Sequence, residues 1–280
     1  MAALGELSVR VRVVGGAVAD EVTAKPADWI QGRRHVVLFV HGFNNAKEAA
    51  RTSYGGVFTT VLADVGYFYW PGDTRAGFIL SAPTYPVQIT SALDSARRLA
   101  DYLKGVVGPG GSPSAVSFVG HSLGCRLILE AMRLALDEGL SWPEVRVTAL
   151  MAAAVPVDLV EEGQPLDAAA RSARTLALFY SRADQVLNLS FPPGQAAAFA
   201  FGIEKAAYGV AVGRFGQPVG LPAERVDTGL GHSEYWPSED TADRVARMLG
   251  AATPRSLPDR TLASAGSPLS RELPVRDVLG

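Results

Sequence analysis

A chain of 280 residues with 48% apolar and 19% charged side chains buries one substantial core, and its single cysteine, Cys125, permits no disulfide framework. The formal net charge of −2 gives no electrostatic reason to expect nucleic acid or an anionic membrane as partner, and points to a small neutral substrate. The start, Met1 to Arg10, has neither a cationic n-region nor a continuous apolar stretch, and no run elsewhere is long and apolar enough to span a bilayer, so a cytoplasmic protein is expected.

Along the chain, Leu7 to Val14 alternates, with Val9, Val11 and Val13 opposite Arg10 and Arg12, which suits a half-exposed edge strand. Arg33 to Val40 reads as a buried strand, and Ala46 to Asp64 as a helix weakened in the middle by Tyr54-Gly55-Gly56. Val65 to Trp70 is a third strand, stopped by Pro71-Gly72. Val87 to Leu103 has helical spacing, with Ile89, Leu93, Ala96, Leu99 and Ala100 on one face. Ala115 to Val119 is again strand-like and runs through Gly120-His121-Ser122-Leu123-Gly124 into a helix beginning at Cys125. Val145 to Met151 and Thr175 to Tyr180 follow as strands, with a short helix between them, then Glu224 to Val226 as a last strand and Glu239 to Leu249 as a closing helix. Strands alternating with helices imply a mostly parallel central sheet flanked by helices on both faces. Residues 1–250 form this domain, and 251–280 a Pro/Ser/Arg-rich tail expected to be mobile.

The strand, G-x-S-x-G turn and helix make a nucleophile elbow, so Ser122 is the candidate nucleophile. A serine hydroxyl needs a general base, a carboxylate to orient that base, and donors for the oxyanion. His232 lies in Thr228 to Trp236, after the last strand, where a loop can bring an imidazole over the elbow. Asp184 follows the strand ending at Tyr180 and is the preferred acid; Asp158, also just past a strand, competes with it. The order Ser122, Asp184, His232 separates this arrangement from the chymotrypsin and subtilisin orders. Oxyanion donors are expected from the backbone N–H groups of Leu123 and Phe43, the latter in the turn after Val40. His35, His41 and His121 lack the spacing of a metal site and read as structural hydrogen-bonding residues, so no metal and no cofactor are expected. Cys125 reads as a small packing residue.

Together Phe39-Val-His-Gly-Phe-Asn-Asn45, Tyr69-Trp-Pro-Gly72, Gly120 to Gly124, Phe179 to Asp184 and Gly231-His232 resemble the α/β-hydrolase superfamily, closest to its bacterial branch called domain of unknown function 900. The similarity covers residues 33 to 250. It implies an eight-stranded hydrolase sheet and activity on carboxylic esters or related acyl compounds, with Ser122, Asp184 and His232 as triad and Phe43 and Leu123 as oxyanion donors. The acid segment departs from the pattern, with Ser181-Arg-Ala-Asp184 ahead of Gln185 and Val186.

No large cap domain is evident. The segment between Asp184 and His232 is too apolar for a solvated loop, and reads either as an acyl-pocket wall or small lid containing Phe191, Phe199 and Phe201, or as an excursion packed on the sheet. Gly77 to Leu80 would border the same pocket. The leading expectation is a serine esterase; an acyltransferase on the same scaffold and a hydrolase-fold binding protein without turnover are the alternatives.

Overall fold

Short runs of buried apolar residues become the middle of a sheet. In the computed structural model, which describes residues 5–12, 16–43, 45–62, 65–73, 84–106 and 113–250, the runs are β3 (His35–Val40), β4 (Val65–Tyr69), β5 (Ala115–His121) and β7 (Thr175–Tyr180). Such strands, apolar on both faces, belong to a parallel sheet covered from both sides. With β1 (Gly5–Arg10), β2 (Val18–Lys25), β6 (Glu144–Met151) and β8 (Glu224–Asp227), the described residues form an eight-stranded sheet of order β2-β1-β4-β3-β5-β6-β7-β8. Every pairing is parallel except that of β1 with β2.

The two faces are covered by different helices. Phe39 of β3 meets Tyr54 of α1 (Lys47–Tyr54) and Phe58 of α2 (Val57–Val61), each at 5.7 Å between ring centroids. Beneath the opposite side chain, Leu38, Trp29 closes over Gly5 and Gly66. The helices α3 (Tyr85–Val106), α4 (Leu123–Asp137) and α5 (Asp167–Ser172) pack in sequence as one layer. Between β7 and β8 run α6 (Gln185–Leu189), α7 (Phe191–Ala200), which leans on α3, and α8 (Val212–Phe215). The closing helix α9 (Glu239–Met248) packs on α2.

The first strand is not the edge. Leu7 and Val9 are fully buried, Val11 is exposed beyond the strand end, and an unanticipated β2 lies outside β1. The run Val-Ala-Asp-Glu-Val-Thr-Ala-Lys of β2 half-buries its small apolar residues and points Asp20, Glu21 and Lys25 at solvent, the composition of a protected edge. The long helix expected before β4 is two helices, broken at Gly55 and Gly56. Val13, Asn44, the Gly77 to Leu80 stretch and the tail 251–280 lie outside the described residues. Among those described, no helix is long and apolar enough to cross a membrane.

Candidate active site

Ser122 stands between the last residue of β5 and the first of α4 with φ 52° and ψ −124°, a conformation that costs a non-glycine residue on the order of 1–3 kcal/mol. Hydrogen bonds from the neighbouring strand end hold it there: its N–H donates to Met151 O at 2.9 Å, and its carbonyl accepts from Ala154 N–H at 3.1 Å. Two glycines let the backbone close around it. A β-carbon on Gly124 would lie 2.3 Å from the His41 carbonyl oxygen, and one on Gly42 would lie 2.7 Å from Ser122 Cβ. The elbow and the turn after β3 therefore touch backbone to backbone.

Two loops on the same sheet edge bring the partners. His232 Nε2 lies 3.0 Å from Ser122 Oγ, and His232 Nδ1 lies 2.7 Å from Asp184 Oδ2. A carboxylate only accepts, so Nδ1–H donates to Asp184 and the Nε2 lone pair faces the serine hydroxyl. Asp184 is fully buried and its other oxygen, Oδ1, accepts the Leu187 N–H at 2.9 Å as the N-cap of α6. Asp158, the competing acid, sits exposed on a single 3₁₀ turn, Val157–Leu159, and it is Asp184 that meets His232 Nδ1.

The loop carrying His232 is stapled behind it. Thr228 N–H donates to Tyr180 O at 2.9 Å, and Trp236 packs against Phe39, Tyr54 and Phe58 at 5.1–5.3 Å. His121, directly before Ser122, reaches the same loop: its Nε2 lies 2.6 Å from the His232 carbonyl oxygen. His41 ties the turn after β3 to the end of β4. Its Nδ1–H donates to Gly42 O at 2.9 Å, its Nε2 accepts from Trp70 N–H at 3.3 Å, and its carbonyl accepts from Trp70 Nε1–H at 2.8 Å. His35 bonds Ser117 Oγ at 2.9 Å. Burial pushes the His41 imidazole down to about 4 and that of His121 to about 3, so both are neutral.

Of the expected oxyanion donors, Leu123 directly follows Ser122 and Phe43 lies in the turn after β3. Leu123 opens α4, where first-turn amides have no intrahelical acceptor. Phe43 follows Gly42 in the turn pressed against Ser122, and Asn45 Nδ2 donates to its carbonyl at 3.2 Å. From Phe43 a row of rings leads away: Tyr85 at 6.0 Å, then Phe191 a further 6.4 Å on. Phe191 thus joins a row of rings that starts at the turn after β3, whereas Phe199 and Phe201 stand 51% and 73% exposed at the far end of α7. Sequence reasoning passed over Tyr85, since only the fold brings the start of α3 beside the turn after β3. Past the ends of β1 and β4, Arg10 bonds Trp70 O at 2.8 Å and pairs with buried Asp73 at 2.5 Å.

A comparison with curated proteins gave no match. Solved structures that the chain resembles include carboxyl esterase 2 from the mycorrhizal fungus Tuber melanosporum, at a TM-score of 0.41 and 13% identity over 77% of this chain and 78% of that one. The hyperthermophilic esterase from the archaeon Pyrobaculum calidifontis gives 0.42 and 17% over 78% and 76%, and Arabidopsis thaliana SOBER1 gives 0.44 and 16% over 77% and 98%. The family model for alpha/beta hydrolases of unknown function (DUF900) matches residues 22–196, a span that includes Ser122 and Asp184 and stops before His232. With that match over more than half its length and an eight-stranded, mostly parallel sheet, the chain belongs to this α/β-hydrolase family.

Proposed function

We propose that the protein is a serine esterase acting on small neutral acyl compounds. The observation that carries this is the continuous line of hydrogen-bonding groups from Asp184 Oδ2 through His232, 2.7 Å and 3.0 Å long, to Ser122 Oγ. Ser122 Oγ attacks the acyl carbonyl carbon while its proton passes to His232 Nε2. The carbonyl oxygen, now an oxyanion, accepts from the Leu123 and Phe43 N–H groups. Collapse of the tetrahedral intermediate expels the alcohol, which leaves with the proton from His232. Water then attacks the acyl-enzyme carbonyl, His232 takes its proton, and the acid departs as Ser122 is regenerated. Throughout, Asp184 holds the imidazole in one tautomer and offsets the transient imidazolium charge.

The row Phe43, Tyr85 and Phe191 supports an apolar wall for one side of the substrate. A fluorophosphonate probe read by intact mass and peptide mapping tests the proposal, because only an activated serine reacts. Wild type should label at Ser122, and Ser122→Ala should neither label nor hydrolyse a nitrophenyl ester, with a loss on the order of 10³-fold or more and an unchanged melting temperature. A folded Ser122→Ala protein with wild-type activity removes the serine mechanism.

A further inference from the structure

We propose that His121 is a positioning residue that ties the general base to the nucleophile elbow through the backbone carbonyl of His232, and that this tie acts chiefly in deacylation. The inference rests on the serine esterase reading and adds a residue to it. A carbonyl oxygen only accepts, so the 2.6 Å contact fixes the proton of the His121 ring on Nε2. Its Nδ1 is then a bare lone pair, buried without a partner and facing Gly42, where a β-carbon would come within 3.0 Å of it. The ring lies 5.0 Å from that of His232 between centroids, with Asp184 beyond, so a charged His121 would oppose the imidazolium formed during turnover. Burial of the neutral ring avoids that conflict.

The loop explains why a tie is needed. Between its anchors at Thr228 and Trp236, the described bonds near the base are local, from Gly231 N–H to the Glu234 carboxylate and from Glu234 N–H to Gly231 O. Among the described residues, the His121 contact joins the backbone of the base itself to the body of the sheet. In the free enzyme, the Ser122 hydroxyl also holds the Nε2 side of His232. Once Oγ carries the acyl group it has no proton to donate, so the Nε2 side is released and His232, still required to aim at water, keeps its Asp184 bond and its backbone tie to His121. The His121 bond is unaffected by acylation and keeps the imidazole in register.

The test compares His121→Met, which keeps bulk and removes the donor, with His121→Gln, whose amide N–H can reach the same carbonyl. Acylation and deacylation rates are measured separately by single-turnover and burst kinetics on a nitrophenyl ester. His121→Met should slow deacylation on the order of 10²-fold, as expected for a displaced reacting group, with a smaller effect on acylation. His121→Gln should recover most of that loss. In ¹⁵N spectra of the wild type, His121 should show the Nε2–H tautomer across the neutral pH range. Equal slowing of both steps with a lowered melting temperature and no recovery by Gln, or an Nδ1–H tautomer, overturns the proposal. A wild-type protein that neither labels with fluorophosphonate nor turns over esters instead overturns the serine reading beneath it.

Discussion

Asp184 uses its two carboxylate oxygens for different tasks, one on His232 Nδ1 and one on the Leu187 amide that begins α6. The same side chain caps α6 and, in the proposed triad, orients His232. Asn keeps an oxygen for the cap and loses the charge, so Asp184→Asn should lower kcat on the order of 10³- to 10⁴-fold while leaving most of the stability. Asp184→Ala should lose the cap as well, at about 1 kcal/mol, which paired melting curves read directly. Asp158→Asn should leave kcat near wild type; if it is the inactive variant, the acid lies after β6. Ser122, Asp184 and His232, which the fold brings into one hydrogen-bonded line, could be singled out in the sequence because each follows a strand at the same sheet edge in a fixed order. His121 was legible only as a hydrogen-bonding histidine, since its acceptor is a carbonyl far along the chain.

Strands that are apolar throughout announced themselves, whereas elements defined by what packs on them did not. β2 alternates weakly around charged residues and becomes a strand only because β1 offers it an edge. In α7, Phe-Pro-Pro-Gly-Gln-Ala-Ala-Ala-Phe-Ala has no polar face to set its orientation, and its packing on α3 comes from the fold. The junction of β5 and α4 is the opposite case, where short-range sequence dictates geometry. At Gly124 an added β-carbon would meet backbone oxygens of His41 and Val40, and neither can swing aside as a side chain would. Gly124→Ala should therefore displace the turn after β3, destabilising the protein by about 1–3 kcal/mol and lowering kcat more than its stability loss explains. Denaturant titration alongside ester kinetics checks both, and an alanine variant indistinguishable from wild type would mean the two turns are not in backbone contact.

For the molecule as a whole, two neutral buried histidines set an acid limit. Burial holds His41 near 4, with Arg10 lowering and Asp73 raising it further, and His121 near 3, against an ordinary value of 6.5. Between pH 6.5 and about 4 the unfolded chain binds protons that the native one refuses, so stability falls as pH falls. Above 6.5 the contribution is fully present, and below it each histidine removes up to about 1.4 kcal/mol per pH unit. Urea melts at pH 7 and pH 5 should show that loss, with His121→Gln flattening the slope; equal stability at both pH values would contradict it.

The sheet order also has a consequence for timing. Ser122 lies 110 residues ahead of His232, and β8, the strand that delivers the base loop, docks as an outer edge on β7 alone. A chain folded only as far as β7 presents Ser122 without the His232 contact. On the proposed mechanism, Ser122 should stay unreactive during synthesis or refolding until β8 seats, so that fluorophosphonate labelling would time the docking of that strand on β7.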